Sequence, residues 1–378
     1  MVYELTEDQQ LIVESMRDLM ESENWDTYFR ECDNKHEFPV RFCEAIGELG
    51  LHSILNPEEF GGLEEDAMTT YVAAWEELLR LGGNAAAIWG STTYPVVLRE
   101  GNEKQIKIAE ELMETNRVTI CNAATEPGAG SDLGAMATTY TRKDGKIYLN
   151  GQKTFITDAM YSEYMIVTAL DAESGTKFTN FFIPANAKGV TRSPLEKLGL
   201  KTNSACEIFL DNVECEESDM LGEEGMGFAM QKDDFNTERV ISALYCYGYA
   251  YCAFEDAAKY ANQRVQFGEA VGRTQLIQLK LSDMETKLTN MRNMIYEGAV
   301  MVDKGTLDKG FAAMCKYYCV NAAQEVTDDA IQVMGGVGIC GQHRAERAWR
   351  DIRASRVSGG TDEMMILTHG RSVLKKYR

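Results

Sequence analysis

The last of the chain's six prolines is Pro194, and the 184 residues after it contain none. Proline removes a backbone N–H and clashes with the preceding helical turn, so a proline-free stretch of this length is open to long helices. Apolar residues recur at helical spacing through Met226–Gln263, Thr274–Lys304 and Thr306–Met334, which predicts three long helices.

The first part of the chain has a helical texture too. Thr6-Glu7-Asp8-Gln9 has the pattern of a capping box, and Ile12, Met16, Leu19 and Met20 follow at helical spacing, which predicts an amphipathic helix. Asp66–Leu81 predicts another, and the texture persists to about residue 116. From Val118 it gives way to short β-rich runs at Ala135–Arg142, Lys146–Leu149, Met165–Leu170, Phe178–Ile183 and Glu207–Leu210. Asp144-Gly145 and Asn150-Gly151 read as hairpin-type turns between them, and Gly222, Gly225 and Gly227 close the segment. The reading is α+β in the order helical, β, helical, divided at residues 1–117, 118–226 and 227–378.

Charge removes whole classes of partner. Acidic residues outnumber basic ones 59 to 38, a net charge of −21, which repels phosphate backbones and anionic lipid, so neither nucleic acid nor a membrane is expected. No run reaches the ~18 apolar residues of a membrane span. The ten cysteines form no CxxC pair and none joins the four histidines at metal-ligand spacing, so no metal is expected and the thiols read as reduced, in a cytoplasmic protein. Met1-Val2-Tyr3-Glu4-Leu5 lacks the basic and apolar run of an export signal.

Thr125-Glu126-Pro127-Gly128-Ala129-Gly130-Ser131-Asp132 sets glycines and hydroxyls at the end of an expected strand, where bare backbone N–H groups can approach a phosphate or a flavin. By itself such a segment is as readily an ordinary turn. There is no GxxxxGK[ST], and no GxGxxG between a strand and a helix, which excludes the P-loop and Rossmann readings.

Taken with Asn150-Gly151-Gln152-Lys153-Thr154-Phe155-Ile156-Thr157, this segment resembles the flavin domain of the acyl-CoA dehydrogenase family. The C-terminal half agrees, in Arg264-Val265-Gln266-Phe267-Gly268, Gln275, Gln332-Val333-Met334-Gly335-Gly336, Arg350-Asp351 and Gly360-Thr361. The resemblance covers essentially the whole chain. It implies an N-terminal helical domain, a middle β-barrel-like domain on the flavin and CoA side, and a C-terminal four-helix bundle. It also implies bound FAD, an acyl-CoA or enoyl-CoA substrate, an electron-transferring flavoprotein as partner, and a homotetramer.

Position by position, the resemblance implies that Thr125 and Thr157 hydrogen-bond the isoalloxazine, with Phe155 beside its face where family members often have Trp. Arg264, Phe267, Gln275, Gln332 and Gly336 reach the FAD of a neighbouring subunit, Arg264 on its pyrophosphate, where an Arg fork suits bidentate binding. Thr361 lies on the cofactor side. Ser131 lies near the pantetheine or pyrophosphate of coenzyme A, and Asn236 and Arg239 contact the same ligand. Trp89 and Tyr94 come from the segment that lines the acyl pocket, and Tyr245 and Tyr249 share the helical face of Glu238. Each has an ordinary alternative as a helix-surface, turn or core residue.

One departure sets the mechanism. Family members commonly hold their catalytic carboxylate just before a Gly-Thr pair, but here that position is Gly359, in Ser358-Gly359-Gly360-Thr361. Other branches place a Glu directly before the helix Arg, and this chain has Glu238-Arg239. Glu238 is therefore the expected acid/base, exchanging a proton at Cα while hydride moves between Cβ and FAD. A rival reading is a non-catalytic flavoprotein scaffold that has lost its base.

Overall fold

The structure, a computed structural model, describes residues 3–341 and 343–378; Met1 and Val2, where an export signal would begin, lie outside the described residues. Six helices come first: α1 (Glu7–Ser22), α2 (Trp25–Lys35), α3 (Val40–Glu48), α4 (Ala67–Arg80), α5 (Gly90–Glu100) and α6 (Glu103–Met113). The expected capping box is present, for Thr6 Oγ1 accepts from Gln9 N–H and Gln9 Oε1 from Thr6 N–H, both at 3.2 Å. The Asp66–Leu81 helix is not amphipathic in its surroundings: every residue of α4 from Met68 to Leu79 is buried. Its Glu76 survives there because Arg292 Nε, Tyr296 Oη and Tyr247 Oη donate to it at 2.7, 2.6 and 3.1 Å.

The middle segment is one sheet of eight strands: β1 (Ile120–Ala123), β2 (Thr139–Lys143), β3 (Lys146–Ile156), β4 (Tyr164–Asp171), β5 (Phe178–Pro184), β6 (Val190–Pro194), β7 (Cys206–Cys215) and β8 (Met220–Leu221). The path runs β6-β7-β3-β2-β4-β5-β8, with β1 parallel to β4. The edge strands β6 and β8 do not pair with each other, so the barrel-like middle domain is an open sheet. Asp144-Gly145 makes the β2–β3 turn as read, with both residues at positive φ and Lys143 opposite Lys146. Asn150-Gly151 is no turn. It lies inside β3, where the register with β7 shifts, and a Cβ on Gly151 would stand 2.4 Å from Thr138 Oγ1, which is why glycine is needed.

After β8 every element except two-residue strands is helical, in keeping with the long helices expected there. α7 (Gly227–Gln263) leads through a short ribbon, β9 (Val265–Gln266) and β10 (Glu269–Ala270), to α8 (Gln275–Asp303), α9 (Lys309–Met334), α10 (Gly336–Ile339), α11 (Arg344–Ser355) and α12 (Asp362–Lys376). α9 packs on α7, α8, α11 and α12, and α4 joins this bundle on α7 and α8. One apolar core thus runs through both helical parts, and a second, smaller one fills the sheet.

Candidate functional site

The two flavin-type segments meet at the end of β1. Glu126 and Ala129 exchange backbone hydrogen bonds at 3.1 Å, closing the Gly-rich turn, and Thr154 N–H donates to Thr125 O at 2.9 Å, joining that turn to β3. Behind them Lys153 Nζ donates to Glu126 Oε1 at 2.9 Å and to Ala124 O at 3.1 Å, while the Glu126 carboxylate takes the N–H groups of Ala137 and Thr138 at 2.6 and 2.9 Å. Burial pulls the Lys153 ammonium down to about 8, against the pull of Glu126.

A second register shift, between Lys153 and Ile156, releases Phe155 from the ladder with φ +56°. Its ring is 67% exposed, with Thr125 and Thr157 half-buried beside it in sequence. Such exposure of a large aromatic suits a planar partner, and Gly128 and Gly130 leave open space where side chains would stand. These residues fit the isoalloxazine and phosphates of FAD. Ser131 is exposed on the same loop.

The other half of the site is on α7. Arg239 Nη1 donates to Asn236 Oδ1 at 2.8 Å, and Arg239 Nε is buried with no partner among the described residues. Burial lowers the guanidinium's pKa, with the adjacent Glu238 carboxylate opposing. One turn on is Ser242, and a Cβ built on Gly359 would lie 3.8 Å from Ser242 Oγ and 3.8 Å from Lys316 Cε. The missing-carboxylate position and the helix of Glu238 therefore face each other. Thr361 follows this turn and caps α12, its hydroxyl accepting from Met364 N–H at 3.3 Å.

The aromatic residues divide. Trp89, half-buried, stands edge-to-face on Tyr245 with centroids 5.6 Å apart, and Tyr245 likewise on Tyr249 at 6.1 Å. Tyr245, expected among the substrate contacts, lies in the second layer behind Trp89. It is 0% exposed, its hydroxyl is paired with Ser355, and it backs Trp89 rather than presenting a face. Tyr94 belongs to another neighbourhood, donating to Arg117 O at 3.0 Å.

Arg264, Phe267, Gln275, Gln332 and Gly336 are all exposed. The Lys280–Asp329 ion pair brings the start of α8 to the end of α9, which gathers Gln275, Gln332 and Gly336 at one end of the bundle. Arg264 caps α7 there. It lies 26 residues beyond Glu238, about 39 Å at the helical rise, so this cluster and the Glu238 face cannot grip the same end of one cofactor within one chain. Among the described residues no group of His, Cys, Asp and Glu is arranged to hold a metal, and no helix is long and apolar enough to cross a membrane.

Three family models match in succession: acyl-CoA dehydrogenase, N-terminal domain, over residues 6–108, middle domain over 121–213 and C-terminal domain over 224–374. Butyryl-CoA dehydrogenase from Megasphaera elsdenii is 28% identical, with a TM-score of 0.90 over 99% of this chain and 100% of that one. A glutaryl-coenzyme A dehydrogenase in complex with glutaryl-CoA is also 28% identical, with a TM-score of 0.91 over 99% and 97%. A chain in the electron-transferring flavoprotein structure from Acidaminococcus fermentans is 29% identical, with a TM-score of 0.91 over 99% and 100%. The chain belongs to the acyl-CoA dehydrogenase family. It is an FAD-dependent oxidoreductase acting on CH–CH bonds.

Sequence reasoning passed over Lys153 and Lys316. The signal was available: Lys316 sits on the stripe Ala312, Cys315, Cys319, Ala323, all buried, where a charge has no place unless it is bound.

Proposed function

We propose that this enzyme reduces crotonobetainyl-CoA to γ-butyrobetainyl-CoA, with Glu238 as the acid/base. Three segments support the substrate by their resemblance to crotonobetainyl-CoA reductase: Met20-Glu21-Ser22-Glu23-Asn24-Trp25, Cys252-Ala253-Phe254-Glu255-Asp256-Ala257-Ala258 and Arg356-Val357-Ser358-Gly359-Gly360. FAD, when bound, supplies hydride exchange at Cβ. In the reductive direction Glu238 delivers the proton to Cα, and in the oxidative direction it removes it. Asn236 and Arg239 hold the CoA thioester, Ser131 its pantetheine or pyrophosphate, and Trp89 offers an aromatic face to a trimethylammonium group.

The observation that carries the acid/base assignment is the approach of Gly359 to Ser242, 3.8 Å from a Cβ built there and one helical turn from Glu238. A carboxylate from α7 thereby serves the space that a side chain at position 359 would serve. Thr125, Phe155, Thr157 and Thr361 hold the flavin of their own subunit. Arg264, Phe267, Gln275, Gln332 and Gly336 hold that of a neighbour in a homotetramer, a reading supported by the about 39 Å along α7 between Arg264 and Glu238. Domain divisions fall at 1–117, 118–226 and 227–378. The location is cytoplasmic, and electrons pass through an electron-transferring flavoprotein.

The experiment is a panel of acyl-CoA and enoyl-CoA thioesters, betainyl ones included, followed by flavin absorbance without oxygen. Preference for the betainyl pair is expected. A second reading, a dehydrogenase of another short or branched acyl chain, is favoured by the likeness to the butyryl-CoA and glutaryl-CoA enzymes, and selective bleaching by such a thioester would replace the first.

A further inference from the structure

Lys316 is 1% exposed, on the face of α9 that packs into the bundle. A charge so placed must be bound or it would be expelled from the fold. Its Nζ donates to Ser358 O at 2.6 Å and to Gly360 O at 2.5 Å, the two carbonyls that flank Gly359. Gly359 and Gly360 have φ of +59° and +95°, so this turn combines two residues of high intrinsic freedom. Peptide units are planar, and pinning both carbonyls fixes the plane that enters Gly359 and the plane that leaves Gly360, so the two-glycine turn is held at both ends. Across the turn, a Cβ on Gly359 would meet Ser242 Oγ and Lys316 Cε at the same 3.8 Å.

We propose that Lys316 is a positioning residue for the acid/base step: its ammonium clamps the Ser358–Gly360 turn against the α7 face that carries Glu238 and places a fixed positive charge behind position 359. The proposal rests on the reading of Glu238 as the acid/base. With no side chain at 359, the turn that faces α7 is bare backbone, and the clamp gives it one shape. The charged and titratable groups around the ammonium are Arg239 and Cys246 of α7 and Asp362 of α12, which is itself held by Arg356 Nε at 2.7 Å. Burial pulls the ammonium down to about 8, Arg239 adding to the fall and Cys246 and Asp362 opposing it, so the clamp is cationic at neutral pH. A cation at this place favours the ionised form of a neighbouring carboxylate and lowers the pH at which it loses its proton.

The test uses the holoenzyme with stopped-flow flavin reduction by a saturated acyl-CoA across pH. Lys316→Met keeps the volume and removes donors and charge. Its FAD content should be unchanged, its maximal rate lower by at least ~10-fold as the turn loosens, and the acid limb of its profile higher by about half a pH unit or more. Lys316→Gln keeps a donor for one carbonyl, so it should recover part of the rate while showing the same shift of the limb. A lysine that served the fold alone would lower thermal stability and leave the limb in place, and that result overturns the proposal. Glu238→Gln runs beside them. If it keeps turnover, the acid/base reading itself fails, whereas a dead Glu238→Gln with a wild-type Lys316→Met profile removes Lys316 only. Should neither lysine variant fold, Gly359→Ala perturbs the turn with no atom nearer than 3.8 Å to its new Cβ. It should slow reduction several-fold with the limb unmoved, and a wild-type rate there overturns the clamp.

Discussion

Lys153 and Glu126 form an ion pair at 2.9 Å with side chains 0% and 5% exposed, and this pair ties together three stretches of backbone: Ala124–Glu126, Ala137–Thr138 and the bulged end of β3. Thr125 and Phe155 each lie within two residues of one partner. Their relative placement therefore depends on a charge pair held entirely within the protein's own backbone and side chains.

Breaking the pair on one side should be costly, because the remaining charge stays buried. Lys153→Met is expected to lose about 3–5 kcal/mol of stability, the usual cost of orphaning one member of a buried pair. It should also release FAD more readily than surface variants of equal Tm. Denaturant melts and the flavin-to-protein absorbance ratio measure the two effects separately, and an unchanged ratio would show that the pair serves the fold alone.

Asp158, the residue after Thr157, is buried with Oδ1 unpaired among the described residues, and burial raises its pKa to about 7, Lys197 opposing. A carboxyl raised in the folded state contributes stability that is whole below its unfolded value of 3.8 and lost as pH rises through 7. Between pH 6 and 8 this loss is roughly 1 kcal/mol. Asp158→Asn should flatten that part of the stability profile, as read by thermal melts at the two pH values. A variant profile parallel to wild type would place the titration elsewhere.

Arg264→Ala should weaken FAD retention and loosen the assembly together. The cluster at that end of the bundle is exposed in the single chain and about 39 Å along α7 from Glu238. Light scattering at several protein concentrations, read beside flavin content, is the measurement. Loss of neither would mean that the exposed end binds no neighbour's cofactor.

Features that depend on a short stretch of chain were legible in the sequence. The Thr6 capping box, the Asp144-Gly145 turn and the long helices after Pro194 each follow from local chemistry, and each is present. Features set by partners remote in sequence were not. Asn150-Gly151 has turn chemistry, but its glycine is required by Thr138, which leads into the neighbouring strand β2. β6 went unread because its half-exposed edge position erases the alternation that marks a strand. Lys153 and Lys316 look like surface residues until the carboxylate or the carbonyls that hold them are in view. Glu238 and Gly359 are 121 residues apart in sequence. That one compensates for the other is a proposal drawn from family likeness, which the packing of the 359 turn on Ser242 supports.

That proposed compensation leads to the last prediction. Glu238→Gln should keep fold, FAD and affinity for CoA thioesters, because the amide is nearly isosteric and still hydrogen-bonds. It cannot exchange the α-proton, so flavin bleaching by a saturated acyl-CoA should slow by at least ~10²-fold, the low end of what a positioned acid/base contributes. Adding Gly359→Glu tests whether the two positions reach the same Cα. The new side chain has room, with nothing within 3.8 Å of its Cβ, though a residue with a Cβ at φ +59° costs on the order of 1 kcal/mol. The double variant should therefore recover part of the rate at some loss of Tm. Stopped-flow reduction of the single variant decides the first point: a rate within a few-fold of wild type would make Glu238 an ordinary helix residue. Recovery in the double variant decides the second, since a carboxylate that restores proton exchange from position 359 must stand over the same carbon.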